Sequence, residues 1–557
     1  MLLYPCNGLI RYHYSSSRNL AGKGCNIPHS EQYNLHSPHG STWNCIPHEI
    51  GLGVEERKYG KNLVMEDHSL LLLVAVFLVT IRFILNSKVR KKQPPGPTGL
   101  PIIGNLHQVG PKPHWWLSRL AQSYGPLMSL RLGSVTVVVA SSPGAAREIF
   151  EKNDQAFANR PIPESVAAQP NVGDTLAWAP GDQRWRRRRR VCRTEMLTRE
   201  RLDLLQHLRH EKVQELVEHL GKQGENGKSV DIGEMAFATM LNLISNTVFS
   251  EDMVDPGFEC AGEFKEMVWR IMEDAGKVNL SDYFPLLKRF DLQGVKRHVE
   301  VSYLSLHHIF DDIINKRLTQ TQSSSLLKGD FLDVLLHHCQ QPHSHFTLQN
   351  IKPLILDLFI AGSDTSGSTI EWAMAELLRN PEVMQKAREE VIKVIGRSKE
   401  VKESDIPGLA YVQAIVKETL RLHPPVPLLL PYVAGHDVEV SGYTIHKGNQ
   451  VLINAWSIGR NPMFWDDPLS FQPERFLSSN IDFQGRDFQY LPFGAGRRIC
   501  PGLPLANRMI TLMLATFLHS FHWELPQGVT PQTLDMTEQY GITLKRLSPL
   551  CAIPIPL

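Results

Sequence analysis

The sequence predicts a mostly α-helical protein with small β-sheets, preceded by one apolar helix near the N-terminus. Three observations predict it. Helical hydrophobic periods follow one another through residues 185–425; strand-like stretches are few and short; and one long apolar run, Ser69 to Leu85, ends in a basic cluster.

Taken in order, residues 1–64 are rich in Ser, Asn, His and Gly and have poor hydrophobic periodicity. They read as an extension, with Met65 as the expected biological start. An organelle transit peptide is the rival reading, although no Arg-rich amphipathic face supports it. Residues 65–86 read as a single-pass membrane anchor. Glu66 and Asp67 precede the apolar run, while Lys88, Arg90, Lys91 and Lys92 follow it. The positive-inside rule then puts the C-terminal body in the cytosol. The run is short for a full span, so Arg82 would have to snorkel toward the basic end.

Residues 87–98 form a basic, proline-rich hinge in which Pro94-Pro95-Gly96-Pro97 cannot continue a helix. No low-complexity linker or strong repeat divides the chain after that, so residues 99–557 are expected to form one catalytic domain. Within it, Val135 to Ala140 reads as a buried strand, Ala145 to Lys152 as helix, and Val438 to Val440 and Val451 to Asn454 as short strands. Residues 425–500 are rich in Pro, Gly and aromatics, which suggests an irregular region shaped around something other than itself.

A net charge of +2 on 557 residues offers no field for nucleic acid, and none is expected as a partner. The 8 cysteines are scattered without a CxxC pair. A reduced, cytosol-facing body fits that pattern better than a disulfide scaffold.

The most specific stretch is Phe493-Gly494-Ala495-Gly496-Arg497-Arg498-Ile499-Cys500-Pro501-Gly502, followed by a helical run from Leu505 through His519. A thiolate ligand needs positive charge and backbone donors nearby. Arg497, Arg498 and the helix N-terminus are placed to supply them. Gly496 and Gly502 would permit a turn and close approach to a flat cofactor. Pro501 lacks an N–H, so amides reaching the sulfur must come from Gly502 or beyond.

This stretch resembles the haem-binding loop of the cytochrome P450 family at every fixed position of F-x-x-G-x-R-x-C-x-G. The resemblance implies haem b as cofactor and the family's fold. Cys500 becomes the axial metal ligand, with Phe493 shielding its sulfur and Arg498 pairing with a haem propionate. A thiolate in that position favours O–O cleavage.

Glu418 and Arg421 stand three residues apart on one helical face among apolar neighbours, so a buried pair with further partners is expected. By resemblance, Arg475 of Pro473-Glu474-Arg475-Phe476 joins them in a structural triad. Ala361-Gly362-Ser363-Asp364-Thr365-Ser366 interrupts the strongly helical stretch from Leu354 to Leu378. Its small residues would let a planar ligand lie close, and its acid and hydroxyl could relay protons. An N-cap at Ser363 or Asp364 is the plainer reading. The segment is similar to the family's oxygen-activating motif, which implies that Thr365 steadies the oxygen molecule and Asp364 helps deliver protons.

Trp185 and Arg189 lie at i and i+4 in an arginine run, a pattern that by resemblance contacts the propionates. Arg187, Arg188 and Arg190 are then candidates for docking an acidic reductase. Leu430-Pro431-Tyr432 departs from the family, which often carries His or Arg where Tyr432 stands. Leu428 and Leu429 should line an apolar substrate cavity with Ala361, and Ile542 by resemblance forms its second wall.

Asp282-Tyr283-Phe284-Pro285 and the stretch from Glu371 to Leu377 resemble the plant subgroup that includes geraniol hydroxylases and terpenoid oxidases. The expected activity is insertion of one oxygen atom of O2 into a small apolar substrate, a terpenoid above all. NADPH electrons would arrive through NADPH-cytochrome P450 reductase, and a monomer is expected. Alternatives are a haem-thiolate isomerase or dehydratase needing no external electrons, an oxidase of phenolics or alkaloids, and a catalytically silent haem protein.

Overall fold

The computed structural model describes Phe77 and residues 93–255, 261–323, 329–342 and 344–557. The chain divides into two compact units, Met1–Arg90 and Lys91–Leu557. The extension, the start at Met65, and the anchor apart from Phe77 lie outside the described residues. Among those residues no helix is long and apolar enough to cross a membrane.

The second unit is mostly helical with small sheets. Its centre is one helix, Leu348–Arg379, opened by a reciprocal cap in which Thr347 and Asn350 satisfy each other's backbone. The expected interruption at Ala361–Ser366 is absent. The hydroxyls there donate to carbonyls four residues back, Ser363 to Phe359 at 2.6 Å and Thr365 to Ala361 at 2.7 Å, so they serve the helix instead of ending it. Its flanks pack against helices Ile232–Phe249 and Leu503–Ser520. Leu356, Phe359, Ile370 and Met374 are buried in the shared core.

A four-stranded sheet runs in the order Leu127–Leu132, Val135–Ala140, Gln450–Ile453, Tyr432–Val433. Only the central pair is parallel, with Val138 opposite Val451. This pairing ties the start of the body to the segment just after helix Ala410–Leu422, and thereby places Leu428 and Leu429. The stretch read as helix from Ala145 begins earlier, at Pro143, because Ser142 caps it. It then widens into a π-turn over Glu148–Lys152. Small antiparallel pairs join Val438–Val440 to Tyr443–Ile445 and Glu538–Tyr540 to Leu544–Arg546.

Candidate active site

The Cys500 loop is closed by its own backbone, since the Cys500 amide donates to the Phe493 carbonyl at 3.0 Å. Gly494 and Gly496 take positive φ, 68° and 66°. A Cβ on Gly496 would sit 2.6 Å from the Asp154 carboxylate, so this glycine makes room for Asp154. Gly502 has an ordinary φ of −79° and serves as N-cap of helix Leu503–Ser520, and a Cβ on it would meet the Cys500 sulfur at 3.8 Å. Phe493 is half-buried and meets Phe483 edge to face.

Burial pushes the Cys500 thiol up, opposed first by the Gly502 amide, then by the Arg189 guanidinium and the Leu503 amide. This corrects the expected source of charge. Arg497 faces outward to Asp154, 2.9 Å away. Arg498 turns its nitrogens to the carbonyls of Ala158, Leu176 and Ala179. Arg189, four residues after Trp185, is the guanidinium that reaches the loop, donating to the Ile499 carbonyl.

Arg498 lies 3.9 Å over the Trp185 ring, whose indole N–H donates to Leu176 and so is spent within the protein. A third cation went unnoticed in the sequence. Arg160 is half-buried over the Tyr432 ring at 4.2 Å and donates to the Leu430 and Pro431 carbonyls. Burial, then the neighbouring Arg160, lowers Arg498 to about 9. None of Arg160, Arg189 and Arg498 forms an ion pair among the described residues. Three repelling cations beside a sulfur donor suit a flat dianion carrying a metal. Haem b fits this donor set.

Ala361 is exposed and Thr365 partly so, although Ile360 and Ser363 on the same helix are buried. Small side chains thus leave that helical surface open. Asp364 beside them is pushed up by burial, against a hydrogen bond from Thr543 and then the Lys545 and Lys265 ammoniums.

Glu418 and Arg421 meet fully buried, and Arg475 joins at 3.1 Å from Glu418. Both arginines spend their remaining donors on carbonyls of residues 459–470, among them Gly459, Asp466 and Pro468. The triad therefore staples the irregular region that leads to Cys500.

Leu428, Leu429 and Ile542 line a cavity of about 170 Å³, with Lys277, Asp282, Tyr283, Gln450 and Tyr540 among its polar groups. Ala361, expected in the same wall, is not among the residues that line this cavity. Arg188 is corrected as well. It is 3% exposed and paired with Asp174, whereas Arg187 and Arg190 are exposed.

The family model for cytochrome P450 matches residues 94–550. Geraniol 8-hydroxylase of Catharanthus roseus is 46% identical over 493 residues, covering 88% of this chain and 100% of the relative. 7-Ethoxycoumarin O-deethylase of Helianthus tuberosus is 47% identical, covering 87% and 99%. Drimenol monooxygenase of Persicaria hydropiper is 43% identical, covering 87% and 96%.

Proposed function

This chain belongs to the cytochrome P450 family and is a monooxygenase, and from that premise we propose that it hydroxylates a small terpenoid with NADPH electrons delivered by a membrane reductase. The observation that carries the terpenoid reading is the similarity, along almost the whole body, to relatives named for geraniol and drimenol. The apolar walls at Leu428, Leu429 and Ile542 suit such a skeleton.

Haem b would be held by the Cys500 sulfur, with Arg160, Arg189 and Arg498 as the cations available to its acid groups, and when bound would supply the oxygen-activating chemistry. The chain's own residues do the rest. Leu428, Leu429 and Ile542 hold the apolar substrate and keep water from it. Asp364, which burial favours in its protonated form against a hydrogen bond from Thr543, carries the carboxyl that can hold a proton there. Thr365 directs its hydroxyl hydrogen to Ala361, which leaves its oxygen free to accept. Together they can pass protons inward. Their presence favours oxygenation over the isomerase or dehydratase alternative, which needs no such delivery.

Arg187 and Arg190 are the exposed cations offered to the reductase, and the protein acts as a monomer. Residues 65–86 anchor it in the endoplasmic reticulum membrane with the body in the cytosol. A phenolic substrate is the second reading, supported by the deethylase relative and by the cavity's Asp282, Tyr283 and Tyr540.

The test supplies the full chain, reductase, NADPH and heavy-isotope dioxygen with terpene alcohols or phenolic ethers. A terpenoid product carrying one heavy oxygen is expected. Turnover of the ethers alone would favour the second reading, and product formed without NADPH would sink both.

A further inference from the structure

Asp357 lies two helical turns before Asp364 in the central helix, within the apolar stretch Leu354–Ile360, and no assigned role uses it. Its Oδ2 accepts two backbone N–H groups from a distant loop, Leu176 at 2.5 Å and Ala177 at 3.0 Å. The Ala177 N–H and the Leu176 carbonyl are opposite ends of one planar peptide group. Gripping the first therefore aims the second. That carbonyl receives both the Trp185 indole N–H, at 3.0 Å, and Arg498 Nη1, at 3.1 Å.

The same loop supplies the Ala179 carbonyl to Arg498. It is moored once more where Pro353, lacking an N–H, leaves the Gln349 carbonyl free, and Asn171 donates to it at 3.4 Å. Burial pushes the Asp357 carboxyl up to about 7, the two amides working against this. No cation of the described residues pairs with it. An apolar side chain would avoid that desolvation penalty, so the grip on the two amides is what the carboxyl contributes.

We propose that Asp357 is a positioning residue for the haem edge, acting through the Leu176–Ala177 peptide to fix the directions of Trp185 and Arg498. The proposal rests on the reading of Cys500 and the guanidinium cluster as a haem site. Because both amides bind one oxygen, Asn at this position keeps the grip and Ala abolishes it.

The test measures haem loss from the purified full-length holoprotein to excess apomyoglobin, well below the melting temperature. Asp357→Ala should lose haem about tenfold faster, the loss of a strong buried hydrogen bond, with Asp357→Asn within about twofold of the parent. Resonance Raman propionate bending modes should shift in the Ala variant and return with Asn. Ala177→Pro cuts the same link from the other side with Asp357 intact, and should speed haem loss several-fold even where Asp357→Ala fails to fold. Unchanged haem loss in Ala177→Pro, or Asn as fast as Ala, overturns the proposal. A parent chain that holds no haem, or holds it without a thiolate spectrum, would instead overturn the functional reading beneath it.

Discussion

Glu418 takes both Arg421 Nε and Nη2 at 2.7 Å in a bidentate pair that solvent does not reach. Removing one partner strands the other charge in the core. Glu418→Ala should therefore cost about 3–5 kcal/mol and release residues 459–470, which Arg421 and Arg475 hold. Denaturant unfolding of the purified protein checks the size. A loss below about 1 kcal/mol, typical of an exposed pair, would show that the triad does not staple this region.

Cys500→Ser replaces the sulfur but leaves the Gly502 and Leu503 amides aimed at the same place. The expected outcome is loss of the red-shifted Soret band that a thiolate ligand gives in the reduced carbon monoxide complex. Survival of that band would exclude Cys500 as the axial ligand.

For Thr365→Ala, substrate binding should persist, since the side chain's contact is to its own helix at Ala361. Coupling should fall instead, with NADPH consumption diverted to peroxide. The ratio of product to NADPH measures this. An unchanged ratio removes Thr365 from proton handling.

Part of this site was legible because its chemistry is local in sequence. The loop from Phe493 to Gly502 closes on itself, and Glu418 and Arg421 are one helical turn apart. Arg160 and Asp357 were not legible, because their partners lie 270 and 181 residues away and their roles exist only in the folded chain. Ala361–Ser366 misled in another way. Its small and hydroxyl residues read locally as a break, yet Ser363 and Thr365 bond back along the helix once packing holds it. Arg188 was expected on the docking face with Arg187 and Arg190, but Trp185, Arg188, Val191 and Cys192 form the buried face of this helix. Helical periodicity within the run carried that signal, and charge obscured it.

The two faces of that helix separate binding from stability. Arg187→Glu should raise the reductase concentration needed for half-maximal turnover several-fold, an effect that shrinks at high salt as steered association does. Folding should barely change. Arg188→Ala should instead destabilise the protein by about 3 kcal/mol through stranding Asp174, with little salt dependence in reductase affinity. Equal effects of the two substitutions on reductase affinity would contradict this division.

Asp282 gives a pH dependence with a definite sign. Burial pushes its carboxyl from 3.8 up to about 6, although the Glu164 amide donates to it at 2.7 Å. Between those values the folded chain holds more protons here than the unfolded chain does, so this residue's contribution to stability falls as pH rises. Its relative advantage is complete below about 3.8 and is lost as pH passes through about 6. Asn cannot ionise. The difference in melting temperature, Asp282→Asn minus parent, should therefore climb between about pH 4 and 6 and level off above. Because Asp282 lines the cavity with Tyr283 and Ile542, an apolar ligand there would deepen its desolvation. Such a ligand should bind more weakly to the parent as pH rises above about 6, where the unliganded carboxyl ionises, and with little pH dependence to the Asn variant. A melting difference that falls with pH would mean that the carboxyl is stabilised as an anion, contrary to the burial described.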